Sequence, residues 1–187
     1  GTSRVTRLPL ATDPRSIGQT FTVSAILEDR SGRIWVGTLE NGVFQFDAST
    51  GAIIAHHVPD SGRPGSIGTR RVRAFASDEK GHLYVGTENG GLEVLDVASG
   101  RFRRFMPRRG DDSSLSSSSI YGMTMDRQGI LWIATFNGGL SFTSPTTQRF
   151  RTLGAIREDE LGDPHVAAIL EDERGDLWVG TDGGGLD

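Results

Sequence analysis

Four residues of this sequence carry side chains suited to gripping a small solute: Arg71, Arg73, Tyr121 and His165. Arginine presents paired donors that match a carboxylate or phosphate, and tyrosine offers a stacking face with a hydroxyl. Arg73 and Tyr121 each stand five residues before an aspartate, Asp78 and Asp126, while Arg71 and His165 stand seven before Asp78 and Asp172. Elsewhere in the chain Ser24 and Ala167 occupy the five-before place, and Thr22 and Ser119 the seven-before place. Chemistry therefore changes at these two places from copy to copy. The same residues would equally suit a solvated rim that holds nothing, with Arg70 beside them facing pocket or water.

What positions them is a repeat. GRIWVGTLENGV from Gly32, GHLYVGTENGGL from Gly81, GILWIATFNGGL from Gly129 and GDLWVGTDGGGL from Gly175 superimpose. Their aromatics Trp35, Tyr84, Trp132 and Trp178 are spaced by 49, 48 and 46 residues, and Asp29, Asp78, Asp126 and Asp172 keep the same spacings. A period near 48 punctuated by glycine and aromatics is that of a β-propeller blade. Each copy reads as four strands. The inner ones are Val23–Glu28, Val72–Ser77, Ile120–Met125 and Val166–Glu171, each ending in an Asp-x-x-Gly turn. Strands such as Ile34–Thr38 follow and run into Asn-Gly hairpins. Third strands begin at Val43, Leu92 and Leu140, and more polar outer strands cover Ile53–Val58, Phe102–Met106 and Phe150–Leu153.

The expected fold is all-β: a β-propeller of about four four-stranded blades, a fragment of a larger ring or, alternatively, a closed four-blade ring. Residues 1–3 read as a cloning remnant and 4–10 as the outer strand of a preceding blade. Full blades are expected over 21–58, 70–107 and 118–154, with a partial one over 165–187. The 4–10 strand would complete the last blade in a closed ring. In a fragment, the open blade edges would take further propeller blades or a second copy of the chain.

The conspicuous residues have structural duties in this frame. An aromatic at one fixed blade position packs between neighbouring blades in preference to stacking a sugar. The four aspartates cap turns, since each lies in a different hairpin and none has the oxygen-rich loop that calcium needs. The inner strands carry Ala25, Ala74, Gly122 and Ala168 at one position, small residues suited to crowding near the axis. His56 and His57 alternate on an outer strand and read as surface. Arg101, Arg103, Arg104, Arg108 and Arg109 form a basic patch near Asp111 and Asp112, and the serine-rich run 113–119 reads as a flexible linker.

Composition narrows the function classes. A net charge of -4 gives no electrostatic reason to expect nucleic acid or an anionic membrane surface. The absence of cysteine excludes disulfides, thiolate metal sites and cysteine nucleophiles. No apolar stretch approaches the ~18 residues that span a bilayer, so no direct membrane contact is expected of this segment. No phosphate-binding glycine loop lies between strand and helix, and no cofactor, metal or catalytic residue is expected.

The motif Asp-x-x-Gly-x-Leu-Trp-x-Gly-Thr-x-x-Gly-Gly-Leu, complete from Asp172 to Leu186 and nearly so from Asp126 and Asp78, resembles the two-component regulator propeller repeat. Ser16-Ile17-Gly18, Ser66-Ile67-Gly68 and Ser114-Leu115-Ser116 fit its linker. Departures are Tyr84 for Trp, Ala134 for Gly and the lost double glycine at Gly42-Val43. The resemblance implies the periplasmic sensor of a bacterial membrane receptor whose output domain is a histidine kinase or a diguanylate cyclase, with a small solute or carbohydrate as ligand. Two alternatives stand beside it. Propellers resembling streptogramin lyase carry a related repeat with His and Glu at a metal site, although His165 is the only histidine expected near the mouth of the central channel, which Arg71, Arg73, Tyr121 and His165 would rim. A passive assembly scaffold is the other.

Overall fold

The computed structural model describes residues 21–144, 149–154 and 161–187, so the strand expected over 4–10 lies outside the described residues. Four antiparallel sheets follow one another along the chain. The first comprises β1 (Val23–Glu28), β2 (Arg33–Thr38), β3 (Val43–Asp47) and β4 (Ile53–His57). The second comprises β5 (Val72–Ser77), β6 (His82–Thr87), β7 (Leu92–Asp96) and β8 (Arg101–Phe105). The third comprises β9 (Ile120–Met125), β10 (Leu131–Thr135), β11 (Leu140–Thr143) and β12 (Arg151–Leu153). The fourth comprises β13 (Val166–Glu171), β14 (Leu177–Thr181) and β15 (Gly185–Leu186). Each sheet is a meander paired in chain order, and the inner strands β1, β5, β9 and β13 stand next to one another. This is the all-β propeller architecture expected from the repeat.

The repeated aspartate does more than cap its turn. Asp29 Oδ1 accepts the N–H groups of Ser31 at 2.9 Å and Arg33 at 3.2 Å, while Oδ2 accepts the indole N–H of Trp35 at 2.9 Å. Trp132 donates to Asp126 at 2.8 Å and Trp178 to Asp172 at 3.1 Å. The Tyr84 hydroxyl donates to Asp78 at 3.0 Å. Turn and aromatic thus form one unit, and a tyrosine replaces tryptophan because its hydroxyl reaches the same oxygen.

The hairpins expected at Asn-Gly form, but each connection takes four residues. The buried hydroxyls of Thr38, Thr87 and Thr135 close them by donating to the carbonyls of Gly42, Gly91 and Gly139 at 3.1, 2.7 and 2.7 Å. Gly91 sits at φ 75°, and a Cβ there would lie 2.2 Å from the Phe105 carbonyl.

Neighbouring sheets pack as knobs into holes. Trp35 and Val43 share a core with Val72 and Phe75 of the next blade, and Tyr84 and Leu92 share one with Ile120 and Ile133. A Cβ on Gly37 would meet Val72 Cγ1 at 2.5 Å, and one on Gly86 would meet Ile120 Cγ2 at 2.6 Å. Val166 packs against Ala134, which holds the third such place. Gly180 holds the fourth, and the nearest atom to an added methyl there is Ala168 Cβ at 3.6 Å. Gly86→Ala is therefore expected to cost about 1–3 kcal/mol by overpacking, and Gly180→Ala less than about 0.5 kcal/mol, in urea melts.

Among the described residues, two blade faces lie open. Val23 and Ile26 on the leading face of the first sheet are 43% and 68% exposed, whereas Val72 and Val166 at the place of Val23 are buried. Leu170 and Trp178 on the trailing face of the fourth sheet are exposed, whereas Trp35 is fully buried. Between blades, Gly42, Gly91 and Gly139 donate N–H bonds to the carbonyls of Arg70, Ser118 and Pro164 at 2.9, 2.8 and 2.8 Å.

Three expectations need correction. His56 and His57 are both half-buried, not surface residues. His56 stacks on Phe44 at 4.1 Å, and His57 lies between Trp35 at 6.2 Å and Phe102 at 5.4 Å. Alternation holds, but packing covers both sides of β4. The serine-rich run is pinned: Leu115 is buried, Ser116 Oγ lies 2.7 Å from Ser141 Oγ, and Phe150 donates to the Ser113 carbonyl at 2.9 Å. In the basic patch Arg108 lies 3.6 Å from Asp111 as expected, but Arg104 reaches inward to the buried Glu93 at 2.7 Å. Burial pushes the Glu93 carboxyl up, against the pull of Arg104 and the Gly68 N–H.

Candidate functional site

The inner strands and the Asn-Gly hairpins meet at one edge of the sheets. The backbone bonds Leu39 N–H to Thr22 O at 3.1 Å, and Glu88 N–H to Arg71 O, Phe136 N–H to Ser119 O and Asp182 N–H to His165 O, each at 2.9 Å, tie the start of every inner strand to its own hairpin. Arg71 and His165 are placed by these bonds, just ahead of β5 and β13.

Arg73 and Tyr121 are placed by a bulge. Val72 pairs with Thr87 and Ala74 with Gly86, so Arg73 has no partner in the register. Tyr121 is likewise skipped between Ile120 and Gly122. Ser24 and Ala167 occupy the same extra place in β1 and β13. A bulge turns one side chain out of the alternation and sharpens the local twist. In the first sheet the Ser24 hydroxyl spends this freedom on the Val72 carbonyl at 2.6 Å. In the second and third, Arg73 and Tyr121 turn towards each other.

The four residues lie along one line that crosses three blades. Arg71 Nη2 donates to Glu88 Oε1 at 2.8 Å, and Arg73 Nε donates to Glu88 Oε2 at 3.0 Å. The Arg73 guanidinium lies 5.0 Å from the centre of the Tyr121 ring. Tyr121 meets Phe136 with ring centres 5.4 Å apart, and Phe136 meets His165 edge-on at 5.0 Å. His165 Nδ1 is 2.7 Å from Asp163 Oδ1. Arg70 stands apart, donating to the Asn41 side-chain oxygen at 3.2 Å.

Hydrogen bonds from Arg73, then Arg71, hold the Glu88 carboxyl below its usual range despite some desolvation. The Asp163 carboxyl is lowered by the backbone N–H and ring of His165. Both carboxylates are thus charged at neutral pH. The line contains two guanidinium ions, one carboxylate bridging them, three rings and a His–carboxylate pair. It can attract an anion, stack a ring and hydrogen-bond a hydroxyl.

Glu88 and Phe136 were not among the residues singled out in the sequence. Their signal was available, because the residue after the Gly-Thr or Ala-Thr pair changes from Leu39 to Glu88 to Phe136 to Asp182. A cavity of about 510 Å³ opens at the opposite edge, lined by Glu79, Lys80, Arg127 and Gln128 among others. Its Asp78 and Asp126 are already committed to Tyr84 and Trp132. Among the described residues no group of three His, Cys, Asp or Glu is placed to hold a metal ion, and no helix is long and apolar enough to cross a membrane.

Residues 17–40, 114–137 and 160–183 match the family described as two component regulator propeller. No curated protein matches the chain. Among solved structures, the extracellular domain of BT3049 from B. thetaiotaomicron, described as a hybrid two component system, matches at 22% identity with a TM-score of 0.76, over 88% of this chain and 23% of that one. The extracellular domain of BT4673 from the same organism, described as a one component system, matches at 25% identity with a TM-score of 0.68, over 86% of this chain and 22% of that one. A catalytically inactive virginiamycin B lyase from Staphylococcus aureus, solved with quinupristin, matches at 15% identity with a TM-score of 0.63, over 91% of this chain and 56% of that one. The chain thus spans about a quarter of the length of the two extracellular domains.

Proposed function

From the premise that this chain carries two-component regulator propeller repeats, we propose that it is part of the periplasmic sensor of a bacterial receptor and binds a small solute at the Arg73–Tyr121–Phe136–His165 line. The output is a histidine kinase or diguanylate cyclase elsewhere in the receptor, and this segment performs no catalysis. The observation that carries the reading is the line itself: residues from three blades, at places where the repeat varies, converge through contacts that the fold does not require. Further blades cover the open faces at Val23 and Trp178 in the whole receptor.

The test is a thermal-shift and calorimetric screen of sugars, amino acids and small acids. A specific stabiliser is expected, and Arg73→Ala or Tyr121→Ala is expected to weaken it about tenfold or more, as loss of one charged or stacking contact does. Retained affinity in both variants would move the site elsewhere, the cavity beside Lys80 and Arg127 being the next place to test. One observation favours a lyase-like reading, the His165–Asp163 pair at the site. Turnover of a lactone or ester that His165→Ala abolishes would replace the sensor reading.

A further inference from the structure

The line from Arg71 to His165 holds a charge imbalance. Three arginines stand at this edge, Arg70, Arg71 and Arg73. Arg70 is bonded to a neutral amide, and Arg71 and Arg73 share the single carboxylate of Glu88. Two positive charges are therefore left over among these four groups, in a chain whose net charge is -4. Glu88 itself is well covered, its side chain 18% exposed, whereas that of Arg71 is 52% exposed. Both guanidinium groups converge on one pair of oxygens, from Arg71 on one side and from the Nε and Nη2 donors of Arg73 on the other. That is a seat shaped for a carboxylate, and the protein's own side chain sits in it.

Beside the seat lies a ring surface. Phe136 is 39% exposed, although the fold buries most large apolar side chains, and its counterparts in the other blades are Leu39, Glu88 and Asp182. No blade-packing duty explains a phenylalanine there. Tyr121 lies between Phe136 and Arg73, within 5.4 Å of the one ring centre and 5.0 Å of the other's guanidinium. A group bound at the arginines would bring an attached ring beside Tyr121 and Phe136.

Resting on the site assignment above, we infer that the ligand is a carboxylate borne on a ring, and that Glu88 is an internal stand-in which the ligand's carboxylate displaces from Arg71 and Arg73. A pyranose acid and an aromatic acid share this chemistry. The stand-in prevents two like charges from facing each other in the empty site, and it lowers affinity by the strength of the contacts it must give up.

The experiment titrates the full chain with D-glucuronate and 4-hydroxybenzoate, and with their neutral counterparts glucose and phenol, in wild type and in Glu88→Gln. Glutamine keeps the shape and one acceptor, and an unchanged melting temperature shows that the variant is folded. An acid is expected to bind wild type at least tenfold tighter than its neutral counterpart, and Glu88→Gln to bind it roughly fivefold tighter than wild type, the strength of a partly exposed ion pair. Which of the two acids binds identifies the ring. Equal or weaker binding of the acid by Glu88→Gln overturns the stand-in. Binding of acetate as tight as that of either acid overturns the ring. If only the neutral compounds bind, and Tyr121→Ala weakens them, the site assignment stands and this inference falls. If no compound in the wider solute screen binds at the line, both fall.

Discussion

Replacing Asp29 with alanine is expected to cost about 3 kcal/mol of folding stability, more than a surface turn residue ordinarily contributes. The side chain is only 9% exposed, and it holds the turn amides of Ser31 and Arg33, the Arg33 guanidinium and the indole N–H of the fully buried Trp35. Alanine would leave that indole donor without an acceptor inside the first blade interface, where an unmet donor is costly. The cycle with Trp35→Phe makes the point testable. Phenylalanine removes the donor, so Asp29→Ala should cost distinctly less in that background. Strict additivity in urea melts would show that carboxylate and indole act separately. The same change at Asp172 is expected to be far milder, because Trp178 stands 40% exposed on the open face. Burial alone would raise the Asp29 carboxyl, but the bonds from Trp35, Arg33 and Ser31 outweigh it and set it below the usual range. Its contribution is thus present above about pH 4 and is lost only as pH falls through the lowered folded value.

Histidine 57 produces a separate loss at milder acidity. Burial, followed by the charges of Arg63 and His56, pushes its imidazole from 6.5 down to about 4. Its Nε2 is buried between Trp35 and Phe102 and, among the described residues, has no hydrogen-bond partner. The folded chain keeps the ring neutral until about pH 4, while the unfolded chain takes up a proton near pH 6.5. Acid therefore favours unfolding across that window. Stability is complete above pH 6.5 and should fall by roughly 2–3 kcal/mol as pH approaches 4. His57→Phe is expected to remove most of this slope while keeping the stacking on Trp35. Urea midpoints at pH 7, 6, 5 and 4.5 measure it, and parallel profiles for the variant and wild type would show that another group titrates.

The strands were legible because each blade states them locally. Inner strands are bounded by an apolar run and an Asp-x-x-Gly turn, and all four occur where those signals place them. The outer strands begin or end a residue away: Arg101 enters its ladder without an apolar signal of its own, and the apolar Phe150 stays outside its ladder. Among site residues, Arg73 and Tyr121 could be chosen by their variation, but not aimed. Their direction depends on a bulge that period-two alternation cannot express, because an inserted residue breaks the alternation it would be read from. Glu88 and Phe136 escaped because a hairpin was read as turn chemistry alone. The reading of His57 failed for another reason: whether an outer strand faces water depends on the next blade's Phe102, 45 positions further along.

The bonds from Gly42, Gly91 and Gly139 into the following linker also set an order in time. Each donor waits for an acceptor 25 to 28 residues further along the chain. On the ribosome that interval amounts to roughly 1 to 6 seconds at ordinary rates of synthesis. A newly made blade therefore spends seconds with its hairpin unsealed and its apolar back uncovered. Translation speed across the linkers, as much as the strands themselves, governs how often such a nascent chain is caught by the wrong partner.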